Sequence, residues 1–274
     1  MGIIIRLPHS PITHCLARGA AGKEEGAERM DQQQLIEKIV SEVLVHLART
    51  GGAPGVSPAE VAKYIDHTVL KPQATTLAYD KLCQEALSYR FFGVCVNSSW
   101  VSYVARKLQG SGIHVCSVVG FPLGAMTPHS KAFETREAIS EGAAEIDMVI
   151  NVGLLKHGDY RGVEEDIRAV RRATRPDTIL KVIIETFFLT HEEKIIACEL
   201  SRKAGADFVK TCTGFMGGVA TVEDVALMRR VVGTEMGVKA STGVKTYKEA
   251  LSMIAAGATR LGTGSTSLAI VKGA

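Results

Sequence analysis

The segment FVKTCTG (208–214) ends a short apolar run with a lysine, Lys210. A second lysine, Lys239, stands in the run GVKAS (237–241), and an aspartate, Asp147, in EIDMVINVG (145–153). An ammonium buried in a strand is costly unless it is paired or loses its proton. A single strand-end lysine usually carries its charge out to solvent along its stem. Buried charges rarely cluster without a task, and three of them in matching places argue for one. Side chains alternate along a strand. Lys210 then shares a face with Phe208, Lys239 with Gly237 and Ser241, and Asp147 with Val149 and Asn151. Two ammonium groups held beside one carboxylate repel each other, and desolvation pushes the same way, so one of them gives up its proton. A neutral lysine amine attacks carbonyl carbons and forms a Schiff base. Asp147 can move protons, alone or through a water. This chemistry calls for no metal and no cofactor.

The elements that must hold these groups follow a rhythm. Short β-branched runs at 63–68, 91–97, 114–120, 145–153, 179–186, 206–211, 237–241 and 259–264 alternate with helical patterns at 75–89, 98–108, 128–141, 160–173, 190–203, 221–232, 245–256 and 265–272. Strands of near-continuous apolar character are buried on both faces, as in a parallel sheet. Eight such units predict a single α/β domain, a (β/α)8 TIM barrel, in preference to an open doubly wound sheet. No GxGxxG follows the first run, which weakens a dinucleotide-binding reading. Barrel enzymes draw their catalytic groups from strand C-terminal ends, where Lys210 and Lys239 fall. Lys181 lies early in the fifth run.

The last two units carry glycines, in ASTGVKT (240–246) and RLGTGS (260–265). Barrels often bind phosphate with backbone N–H groups of the loops after strands seven and eight. Gly243, Gly262 and Gly264 would let the backbone approach an anion, and Ser265 would cap the following helix and bond it. Structural turns explain such glycines equally well. Asp66 and Thr68, in IDHTVLKP, read as substrate or supporting contacts. No second ligand stands at metal spacing from Asp66-His67, so no metal site is expected there.

Residues 31–49 show helical spacing and predict an extra N-terminal helix ahead of the barrel. Residues 1–30 show no periodicity and are expected to be a disordered extension or an unused upstream start; 31–274 is the barrel domain. The chain has 274 residues, 46% apolar and 22% charged, with net charge +3. That balance is too mild for a nucleic-acid or membrane-surface partner. No apolar run reaches the ~18 residues of a membrane span. The six cysteines form no CxxC pair, and free thiols suggest a reducing, cytoplasmic setting.

Taken in order, YIDHTVLKP, FFGVCVN, VVGFPLG, EIDMVINVG, LKVIIET, AGADFVKTCTG, VKASTGVKT and RLGTGS resemble the deoxyribose-phosphate aldolase family from about residue 60 to 265. The resemblance implies reversible cleavage of 2-deoxy-D-ribose 5-phosphate to D-glyceraldehyde 3-phosphate and acetaldehyde. It implies that Lys210 is the Schiff-base lysine, Lys239 its partner, and Asp147 the proton-transfer residue. It places Asp66, Thr68, Cys95, Lys181 and Thr213 at the sugar, and Gly214, Gly243, Gly262, Gly264 and Ser265 at the phosphate. It also implies a homodimer. Two departures stand out. Phe215 occupies a position where some members have a phosphate-contacting lysine, and the last tyrosine is Tyr247, so no tail tyrosine serves proton transfer. Another Schiff-base aldolase or transaldolase, or a non-catalytic sugar-phosphate-binding barrel, remains as an alternative reading.

Overall fold

Among the described residues, the strands turn a largely apolar face to the helices and gather most of their charged side chains on the other. The computed structural model describes residues 55–274. The expected helix at 31–49 and the extension at 1–30 lie outside the described residues. The strands are β1 (Ile65–Val69), β2 (Gly93–Val96), β3 (His114–Val119), β4 (Glu145–Val149), β5 (Ile179–Ile183), β6 (Phe208–Lys210), β7 (Gly237–Ser241) and β8 (Arg260–Thr263). They pair in parallel in sequence order, and β8 closes on β1. The (β/α)8 barrel is therefore formed as the alternation predicts.

One parity of each strand faces the helices. Val94, Ile146, Met148, Leu180, Val182, Val209, Val238 and Leu261 are completely buried in one continuous apolar layer. Burial of this shell supplies most of the folding free energy, at roughly 25 cal/mol per Å2 of apolar surface. The other parity faces the barrel interior and carries Asp66, Cys95, Cys116, Asp147, Lys181, Lys210, Lys239 and Arg260. Among the described residues, no helix is long and apolar enough to cross a membrane.

Local signals fix the helix boundaries. Ser57 with Glu60, Thr190 with Glu193, and Thr246 with Glu249 form reciprocal capping boxes. The fourth run departs from expectation, because the strand stops at Val149 and a short helix, Val152–His157, follows. The Asn151 side chain accepts from the Leu154 N–H and starts that helix, and Gly158, at φ +82°, ends it. The stretch at 98–108 likewise opens as a 3-10 turn, Ser98–Trp100, before Val101–Lys107.

A buried ion pair pins the end of β4 from outside the barrel. Lys131, on helix Pro128–Ser140, donates to the Val149 carbonyl at 2.8 Å and to Asp166 Oδ2 at 2.6 Å. Both side chains are shielded from water. Burial pushes the Lys131 ammonium down from its ordinary value and the Asp166 carboxyl up, each countered by its partner. Breaking a buried pair leaves one charge uncompensated, whereas replacing both members with apolar groups is often neutral. Lys131→Met is therefore expected to lower unfolding free energy by about 3–5 kcal/mol, and Lys131→Met with Asp166→Leu to recover most of that. Equilibrium unfolding in denaturant checks this; a single variant within about 1 kcal/mol of the parent would show that the pair carries little.

Candidate active site

Four neighbouring strands bring three lysines onto one carboxylate. Asp147 of β4 accepts from Lys181 of β5 at Oδ1, 2.8 Å, and from Lys210 of β6 and Lys239 of β7 at Oδ2, 2.8 Å each. Lys239 also reaches Asp66 of β1 at 2.5 Å, and Lys181 reaches Glu145 of β4 at 2.5 Å. Arg260 of β8 ties the lower layer together, at 2.8 Å from Asp66 and 3.1 Å from Glu145. Its guanidinium stacks on Phe92, 3.5 Å from the ring centroid, with the Phe208 ring at 5.4 Å. The register explains the convergence, since Asp147 pairs with Lys181, Lys181 with Phe208, and Lys210 with Lys239.

Mutual attraction offsets the cost of burying several of these charges. Burial alone would raise the Asp147 carboxyl, but Lys181, Lys210 and Lys239 hold it well below the usual carboxylate range. Burial likewise works against the Lys239 ammonium, and Asp147 and Asp66 reverse it, so its proton is held more tightly than usual. Lys181 behaves the same way, with Asp147 foremost among the groups that oppose its burial. Glu145 is depressed against the opposing effect of its burial by Lys181, His114 and Arg260. The cluster contains four cationic side chains, Lys181, Lys210, Lys239 and Arg260, against three carboxylates, Asp66, Glu145 and Asp147. One positive charge is in excess. A low-dielectric site relieves such an excess when one amine is neutral or when an anion binds. Arg260 does not deprotonate. Lys239 and Lys181 each touch two carboxylates and are sealed from solvent, whereas Lys210 touches only the shared Asp147 and is 4% exposed. Lys210 is thus the amine that an incoming carbonyl meets.

Cys95 and Cys116 are direct partners on β2 and β3 and face the same interior. The Cys116 thiol donates to Asp147 Oδ1 at 3.1 Å. With Asp147 they place three ligand-capable atoms within 4.8 Å of one another. A cation there would displace lysine ammoniums from Asp147, so the donor set suits the lysines better than a metal ion.

Above the cluster lie the loops. Thr213 is buried, with its N–H and hydroxyl donated to Glu185 at 3.0 and 2.7 Å. Gly214 follows at φ +81°, and a Cβ there would run into the Thr242 side chain, so this turn requires glycine. Thr242 and Gly243 continue the next loop at φ +71° and +90°. Gly262 lacks a left-handed φ; its bare Cα makes room for the Ser241 hydroxyl and the Lys239 stem. Gly264 lies against the Thr68 carbonyl, and the Thr68 hydroxyl turns back to the Asp66 carbonyl. Ser265 is exposed and does not cap the last helix, which is only Ser267–Val271 and has Thr266 at its N-cap with no side-chain bond. Phe215, 45% exposed, meets Phe121 edge-on at 5.1 Å, linking the loop after β6 to the loop after β3.

The structure thus brings Asp66, Asp147, Lys181, Lys210 and Lys239 into one network, with Cys95 beside it. Thr213, Gly214 and Gly243 sit in the loops above. Glu145 and Arg260 were not anticipated as members. Their parity with Asp147 and Gly262 places them on the interior face, but that they meet depends on closure of the barrel. Glu185 had no such signal: it bends back at φ +57° to reach Thr213, a backbone state uncommon outside glycine.

A family model described as DeoC/LacD family aldolase matches residues 60–269. The deoxyribose-phosphate aldolase of Brevibacillus brevis is 59% identical over 212 residues, 77% of this chain and 95% of that protein. Among solved structures, a candidate deoxyribose-phosphate aldolase from Coccidioides immitis superposes with a TM-score of 0.78 at 40% identity, over 89% of this chain and 98% of that one. The tetrameric deoxyribose phosphate aldolase of Aeropyrum pernix gives 0.74 at 29% identity, over 84% and 95%. The family match begins before Asp66 and ends beyond Ser265, so every strand that contributes to the lysine cluster falls inside it, and the chain belongs to the DeoC/LacD family of aldolases.

Proposed function

We propose that this protein reversibly cleaves 2-deoxy-D-ribose 5-phosphate to D-glyceraldehyde 3-phosphate and acetaldehyde through a Schiff base on Lys210. The observation that carries the reading is the buried carboxylate shared by three lysines, of which only Lys210 meets the barrel mouth. The neutral Lys210 amine adds to the C1 aldehyde of the open-chain sugar, and water leaves as the iminium forms. The C3 hydroxyl gives up its proton, the C2–C3 bond breaks, and the bonding pair moves toward the iminium nitrogen to give an enamine. Glyceraldehyde 3-phosphate departs as an aldehyde. Protonation of the enamine at C2 and hydrolysis release acetaldehyde and restore the amine.

Asp147 Oδ2 lies 2.8 Å from both Lys210 and Lys239 and so bridges the nucleophile to a proton donor. Asp147 is ionised at rest, and we assign it to accepting a proton transiently and returning it between the ammonium groups and a water. We assign Lys239 as the partner of Lys210, since both ammonium positions lie on the same Asp147 oxygen. Asp66 and Lys181 have their charged atoms taken by the cluster, so we assign them to its assembly. Thr68, Cys95 and Thr213 line the approach to the sugar. The phosphate falls to backbone N–H groups near Gly214, Gly243, Gly262, Gly264 and Ser265, with Phe215 offering no charge. A homodimer remains the proposed assembly, and the cytoplasm the proposed location.

Purified protein is expected to cleave 2-deoxyribose 5-phosphate in an assay coupled to glyceraldehyde 3-phosphate. Lys210→Ala should lose at least about 10^3-fold in kcat, the scale of deleting a covalent nucleophile; near-parental turnover would rule Lys210 out. Lys239→Leu reduces the cluster to three cations and three carboxylates, which removes the excess charge that favours a neutral amine. The rising limb of its pH–rate profile should therefore move to higher pH. A limb that stays in place, with near-normal rate, would contradict the role given to Lys239.

A further inference from the structure

His67 follows Asp66 on β1 but points the other way, out of the barrel, against the Phe91 ring at 5.1 Å between centroids. Its Nε2 lies 2.8 Å from Glu85 Oε2, on helix Thr76–Tyr89, and its Nδ1 lies 2.8 Å from Ser267 Oγ. The Ser267 hydroxyl lies 2.7 Å from Thr263 Oγ1 and 2.9 Å from the Gly264 carbonyl. A carboxylate, an imidazole and a serine thus run in line from helix to strand to loop. The order is that of a nucleophilic triad, but Ser267 is wholly buried and no substrate reaches it. Its hydroxyl is turned instead to the backbone of the loop after β8.

The hydrogen inventory shows what the line controls. Glu85 accepts only, so it keeps a proton on Nε2 and selects the ring tautomer. Nδ1 is then left as an acceptor facing the Ser267 hydroxyl, which also has Thr263 Oγ1 and the Gly264 carbonyl within reach. The ring, held by Glu85, therefore anchors the Ser267 side chain, and with it the residue to which the turn is tied. The Gly264–Thr266 turn is tied to Ser267 by both its hydroxyl and its backbone N–H, which donate to the Gly264 carbonyl at 2.9 and 3.1 Å, and to the neighbouring loop by Thr266, which donates to the Val244 carbonyl at 2.9 Å. Buried polar chains of this kind rigidify what they join.

We infer that Glu85, His67 and Ser267 are positioning residues that set the Gly264–Thr266 turn to receive the substrate phosphate. The inference rests on the phosphate placement given under Proposed function. It predicts an effect on recognition of the phosphate and none on the carbon–carbon chemistry, because the line lies on the opposite side of β1 from the lysine cluster.

The test compares steady-state cleavage of 2-deoxyribose 5-phosphate and of unphosphorylated 2-deoxyribose by Glu85→Leu, Glu85→Gln and Ser267→Ala. Glu85 is part-buried, its side chain 16% exposed, so its variants disturb the core less than Ser267→Ala, and circular dichroism checks that each variant is folded. Glu85→Leu and Ser267→Ala are expected to raise KM for the phosphorylated sugar about tenfold, the scale of one hydrogen bond. Their kcat, and their kcat/KM on the unphosphorylated sugar, should stay at the parental level. Glu85→Gln, which keeps an acceptor for Nε2, should restore KM. Gly243→Ala serves as the reference for the phosphate site itself. If Gly243→Ala erodes the preference for phosphate while Glu85→Leu and Ser267→Ala do not, the relay is wrong and the site stands. Equal losses on both sugars would reduce the line to a structural role and also overturn the inference. A Gly243→Ala enzyme with full phosphate preference would bring down the phosphate placement and the relay with it.

Discussion

Asp147 is the group on which the interior depends. One carboxylate buried in a barrel is costly, and so is each of the three ammoniums around it. Each is tolerable only because the others are present. Lys181 takes one oxygen, and Lys210 and Lys239 share the second. Asp66, Glu145 and Arg260 extend the same logic one layer down. Barrel interiors are more usually filled by layers of branched apolar side chains. Here the filling is a charged network, and the apolar work of folding is left to the outer face of the strands.

That division shows in where the small residues fall. Gly93 leaves room for the Asp66 carboxylate, Gly237 for the Phe208 ring beneath Arg260, and Gly262 for the Lys239 stem. A methyl group at any of these places would press on a charged side chain or its support. The buried pair of Lys131 and Asp166 acts from behind, holding the last carbonyl of β4 two residues beyond Asp147. Together these contacts fix where the shared carboxylate stands, and so where the reactive amine stands.

Much of this was legible in the sequence, for a physical reason. Parallel strands buried on both faces are apolar throughout, so a lysine or aspartate inside one is conspicuous, and the period of two tells which residues share its face. Lys210, Lys239 and Asp147 were visible on that ground, and the strand–helix alternation gave the barrel. What stayed hidden depends on closure. Nothing in EIDMVINVG says that Glu145 will meet Arg260, because that meeting requires β8 to return beside β1. The end of β4 at Val149 turned on one side chain, Asn151, capping a helix inside an apolar run. Ser265 looked like a helix cap by its place after a glycine loop, but the helix begins later and Thr266 takes that position. Glu185 was invisible because its role needs a left-handed turn in a residue type that seldom adopts one.

The central claim is that the excess positive charge around Asp147 leaves one accessible amine free to attack a carbonyl, and that this amine is Lys210. Incubation with acetaldehyde, reduction with borohydride and mapping of the modified peptide by mass spectrometry test it directly. The account predicts one reduced two-carbon adduct, on Lys210. An adduct on Lys239 or Lys181, or no adduct in an enzyme that cleaves its substrate, would contradict it.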